Sequence, residues 1–131
     1  MRTQQESDYA RFILAEVEEF VKEVDGSPVA NGIHVVGGGE YKLHVGYFIG
    51  GKCVAGMILW DMALIQDVAC TPSAGGHRGI WKLVEWALEH GCMVEESYNG
   101  HSLNLLIKVC EKLGLDADSL VYKEEEVNED E

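Results

Sequence analysis

Along residues 8–24, Phe12, Ile13, Val17, Phe20, Val21 and Val24 recur at steps of three and four, with Glu16, Glu18, Glu19, Lys22 and Glu23 between them. That period gathers the apolar set on one stripe of an α-helix. Ser7 or Asp8 is its expected cap, and Gly26-Ser27-Pro28 its stop. The pattern then shortens. Ile33 to Val36 reads as a short strand before Gly37-Gly38-Gly39, and Leu43 to Ile49 and Cys53 to Trp60 read as two strands flanking Gly50-Gly51-Lys52. Glycine accepts the positive φ of a tight hairpin, so these two runs pair antiparallel. Ala63 to Thr71 is a third run, which completes a meander.

Pro72 closes that run. The segment Pro72 to Gly79 is expected as a glycine-rich loop leading into a second helix, with Ile80, Leu83, Val84, Ala87 and Leu88 on its apolar face and Gly91 as its stop. Met93 to Ser97 is a strand candidate. A third helix carries Leu106, Val109, Cys110 and Leu113 on one side and ends at Gly114, and Ser119 to Lys123 is a last strand. The order predicts an α/β (α+β) fold: an antiparallel meander followed by a β-α-β unit, hence a mixed sheet, with helices on both faces.

The chain has 131 residues, which fits one domain over 1–123, followed by an acidic tail over 124–131 expected to be disordered. Six acidic residues and one lysine from Lys123 onward account for −5 of the net −13, leaving −8 for the rest. This balance argues against nucleic acid, whose phosphates reward clustered Lys and Arg. No apolar run reaches membrane-spanning length, and no secretory signal pattern opens the chain. Cys53, Cys70, Cys92 and Cys110 lie far apart in or beside apolar runs, as buried free thiols do, which makes the cytoplasm the expected compartment. The five histidines are scattered without metal-ligand spacing, so no metal site is expected.

Gly46 to Cys53 approaches the phosphate-loop pattern G-x-x-x-x-G-K-[ST], but it ends on cysteine and runs into the strand-like Val54 to Leu59 rather than a helix. Residues 68–88 are the better candidate. A strand (Val68-Ala69-Cys70-Thr71), a proline, a glycine-rich segment and a helix follow one another, an order in which amides at a helix start can hold phosphate oxygens. Together with Glu111-Lys112-Leu113-Gly114-Leu115 at the end of the third helix, this stretch resembles the GNAT superfamily of N-acetyltransferases. The resemblance covers about the last two-thirds of the chain and rests on order and spacing.

The resemblance implies acetyl-CoA as cofactor and transfer of its acyl group to a small-molecule or protein amine. Val68, Ala69 and Cys70 would line the pantetheine arm, and Gly75, Gly76, His77, Arg78, Gly79 and Ile80 would hold the pyrophosphate. Asp67 is the candidate base, with Asp61 next. Cys110 occupies the position where many members carry an acid tyrosine. The family's loop, [QR]-x-x-G-x-[GA], falls on Gly75 to Ile80 with neither defining glycine in register. These departures carry a second expectation, a catalytically degenerate GNAT-like domain that binds a protein partner or a second copy of itself. Small bacteriophage-encoded members are similar in this, which would place the chain in the host cytoplasm or the virion.

Overall fold

A computed structural model describes residues 3–37, 41–61, 63–95, 100–116, 118 and 121–122. Helix α1 spans Gln4–Asp25, so it begins before the expected cap. Thr3 and Glu6 explain the earlier start. The Thr3 hydroxyl accepts the Glu6 amide at 3.1 Å, the first half of a Thr-x-x-Glu capping box. Gly26, at φ 88°, ends the helix by donating to the Lys22 carbonyl.

Strands β1 (Gly32–Gly37), β2 (Lys42–Ile49), β3 (Lys52–Trp60) and β4 (Leu64–Cys70) form one antiparallel sheet in sequence order. Gly50 and Gly51, both at positive φ, turn the β2–β3 hairpin between the paired Ile49 and Lys52. Ile58 pairs with Asp67 and Leu59 with Ile65, so Gln66 bulges from β4. A bulge resets which face each later side chain takes. Ile65, Val68 and Cys70 consequently join the core on one face, while Ala69 joins the core on the other.

Helix α2 (Ala74–Glu89) returns the chain, and Met93 then makes a single parallel bridge to Leu64. Strand β5 (Val94–Glu95) follows, then helix α3 (Gly100–Leu113) and strand β6 (Val121–Tyr122), which pairs parallel to β5. The fold is thus α+β, with three helices around an open antiparallel sheet. Of the strand expected over 93–97, Met93 makes the bridge and Val94–Glu95 form β5. Residues 96–97, part of the last strand and the whole acidic tail lie outside the described residues.

Two cores separate across the sheet. Ile13, Leu14, Val17 and Val21 of α1 pack on Phe48 and Ile58. Leu83, Val84 and Ala87 of α2 and Leu106, Val109 and Cys110 of α3 pack on Val45, Met57, Leu59 and Val68. Burying each large aliphatic side chain contributes about 1.5–3 kcal/mol.

Candidate functional site

The segment expected as a loop is helical. Ser73 caps α2, its hydroxyl accepting the Gly76 amide at 3.0 Å and its carbonyl accepting the His77 amide, also at 3.0 Å. Gly75, Gly76, His77, Arg78, Gly79 and Ile80 therefore lie inside the helix. From His77 onward the amides point back into i−4 bonds rather than out toward a ligand. The helix starts here because Thr71-Pro72-Ser73 supplies a proline to end β4 and a hydroxyl to cap α2 within three residues.

The glycines have a packing reason. A Cβ on Gly76 would collide with the Thr71 carbonyl and hydroxyl oxygens, and one on Gly79 would lie 2.9 Å from the Ala55 Cβ and the Tyr47 Cδ1. They let the first turns of α2 press onto the sheet.

Beside that turn, a cleft of about 230 Å³ opens between α2 and α3 over the end of β4. Cys70 and Ile80 form its buried apolar side, Leu105 and Val109 face them from α3, and Trp81 and His77 stand on the α2 rim. Lys108 and Lys112, both exposed, form the α3 rim. Of the residues expected to bind a cofactor, Cys70, His77 and Ile80 meet here. Val68 and Ala69 are buried on opposite faces of the sheet, and Arg78 is exposed outside the lining.

The catalytic candidates do not meet at this cleft. Asp67 is turned to the α1 face by the bulge at Gln66 and accepts a hydrogen bond from the Tyr9 hydroxyl. Cys110 is fully buried between α3 and the sheet, and burial, with Asp116 adding to it, pushes its thiol up. A thiol held neutral and away from solvent is a packing group. Asp61 sits exposed in the β3–β4 turn at φ 55°.

Leu105, Lys108, Val109 and Lys112 carry much of the cleft. Val109 was expected on the apolar side of this helix and Lys112 within its closing motif, whereas Leu105 and Lys108 were not singled out. Their spacing was the available signal: steps of three and four on α3 make one stripe that mixes apolar and cationic residues.

Among the described residues no group of three or more His, Cys, Asp or Glu side chains is placed to hold a metal, and no helix is long and apolar enough to cross a membrane. All four cysteines are free and buried. No protein-family model, curated protein or solved structure matches the chain.

Proposed function

We propose that this chain is a GNAT-like domain that binds an acyl-CoA in the cleft between α2 and α3 and passes the acyl group to an amine. The cleft carries the reading. It draws Cys70, His77 and Ile80, all expected from the resemblance, to one apolar slot with a cationic rim. Apolar walls with a few polar groups at the mouth suit an acylated arm that ends in phosphates. In the transfer the amine nitrogen bonds to the thioester carbon and the carbon–sulfur bond breaks. The amine's proton passes to water, and water returns one to the departing thiolate. Asp67 and Cys110, turned away from this slot, are assigned neither proton.

That same placement favours a second reading, a ligand-binding domain of this type without turnover. Thermal unfolding with acetyl-CoA, followed by a thiol-release assay over a panel of amines, separates the two. A ligand that binds only the folded chain raises its melting temperature by mass action. A rise with thiol release supports transfer, and a rise without release supports the binding domain. No rise removes acyl-CoA from the cleft.

A further inference from the structure

The cleft is smaller than the roughly 300–1,000 Å³ of a site that encloses a drug-sized ligand. At about 230 Å³ it can cover only part of the acyl-pantetheine arm of a CoA thioester, so the phosphates would lie outside it. What waits at the mouth decides how they are held.

The chain has 23 acidic residues and 10 Lys or Arg, yet the cleft lining contains two lysines, one histidine and no carboxylate. Elsewhere Arg11 pairs with Asp8, Lys22 with Glu18 and Lys82 with Glu85, while Lys42, Lys52 and Arg78 are, among the described residues, in no ion pair and outside the lining. Among the described residues Lys108 and Lys112 have no ion-pair partner, although Glu111 is their neighbour on α3. Their spacing of four puts both ammonium groups on one side of the helix, beside Leu105 and Val109 of the slot. Local positive charge of this kind can hold an anion against a negative whole-molecule field, because distant exposed charges are screened beyond about 8 Å at physiological ionic strength. The start of α2 is poorly placed for the same task. Ser73 already occupies the Gly76 and His77 amides, and Gly76 is pressed on Thr71.

We infer that Lys108 and Lys112 are the anion-binding residues of this cleft, holding the phosphates of a CoA thioester over α3 rather than at the glycine-rich turn of α2. The inference rests on the acyl-CoA reading of the cleft. Lysine pairs with phosphate as a point charge, so a neutral isostere removes the attraction while keeping most of the stem that packs beside the slot.

Calorimetry on the full chain tests it, with acetyl-CoA and with pantetheine as a phosphate-free probe. The variants are the double Lys108→Gln/Lys112→Gln and, as a control on another part of the surface, Lys82→Gln. The expected result is a loss of about fivefold or more in acetyl-CoA affinity for the double variant, the scale of charge-assisted hydrogen bonds at a solvent-exposed rim. Pantetheine affinity stays unchanged, Lys82→Gln binds as the parent does, and the parent's acetyl-CoA affinity falls as salt rises. A smaller loss in the double variant overturns the lysine assignment and leaves the acyl-CoA reading standing. An equal loss for pantetheine also overturns it, since the stems rather than the charges would then matter. Failure of the parent to bind acetyl-CoA overturns both.

Discussion

The two faces of the sheet dock their helices by opposite means. Under α1 the glycines are in the strands. Gly46 and Gly56 are cross-strand partners, and Val17 sits over both, its methyls 3.0 and 3.2 Å from where their Cβ atoms would be. Under α2 the glycine is in the helix, and Gly79 receives Ala55 and Tyr47. The polar groups differ as well. Across the α1 face Tyr9 bonds Asp67, Glu16 meets buried His44 at 3.2 Å, and Glu18 accepts the Cys53 amide at 2.9 Å. The α2–α3 face instead keeps its cations at the rim of a cleft. One face is clasped by polar bonds and the other opens into a cleft, which is where the proposed ligand would sit. The same residue type also misleads differently: a glycine in a helix reads as a loop, while a glycine in a strand passes unnoticed.

The largest effect should come from filling the helix-side glycines. Gly76→Val with Gly79→Val places branched side chains against Thr71, Ala55 and Tyr47. Overpacking costs about 1–3 kcal/mol per site, so a loss of about 4 kcal/mol is expected in urea unfolding. A double variant with parental stability would mean that α2 is not seated as described, and the loop reading would return.

The two faces should also part company in alkali. Burial, then the Glu18 charge, pushes the Cys53 thiol from 9.0 up to about 12 on the α1 side. Between these values the unfolded chain has released the proton and the folded chain has kept it. Folding then binds protons, so stability is fully present below pH 9 and is lost as pH rises toward 12. Burial raises Cys92 and Cys110 in the same direction. Unfolding free energies from urea titrations at pH 8 and pH 11 should differ by less in Cys53→Ala than in the parent, by up to about 3 kcal/mol. Equal differences would show that this thiol ionises in the folded state as it does in the unfolded one.

Helix periods were legible because apolar stripes such as Ile13, Val17 and Val21 have no other use in water, and the hairpin was legible because Gly50-Gly51 permits little else. The start of α2 was not. Gly75, Gly76 and Gly79 are poor helix formers, and only the sheet beneath explains why the helix keeps them. The face of Asp67 was hidden for another reason. Simple alternation would put Ile65, Asp67 and Ala69 together, and the bulge at Gln66 separates Ile65 from the other two. A bulge is a property of the paired strands, so neither strand announces it alone. The cleft needed α3 to be brought against α2, which no local pattern encodes.

A smaller effect tests the clasp on the α1 face. Glu18 is three-quarters buried, accepts the Cys53 amide and lies 3.6 Å from Lys22. Glu18→Ala leaves that amide without its acceptor, at a cost of about 1–2 kcal/mol. Glu18→Gln keeps an oxygen in place and loses only the charge, so its cost should stay below about 1 kcal/mol. If both variants cost the same, the ion pair rather than the amide bond holds this part of α1.

The smallest expected effect concerns the residue that the family pattern singles out. Cys110 lies wholly within the α2–α3 core, its carbonyl accepting the Leu115 amide at 2.8 Å to close the end of α3. That bond belongs to the backbone and survives any side-chain change. Cys110→Ala removes one sulfur from a packed site, at about 1 kcal/mol. Its thiol is pushed up by burial and does not line the cleft, so it has neither the access nor the acidity of a proton donor. A general acid contributes about 10²–10⁴ in rate. If an amine acceptor is turned over, the alanine variant should keep its rate within about tenfold, with the cofactor bound as tightly as in the parent. A hundredfold loss at unchanged affinity would instead mean that α3 moves during turnover to bring this thiol to the thioester sulfur, and the closed α2–α3 core would be only one of its states.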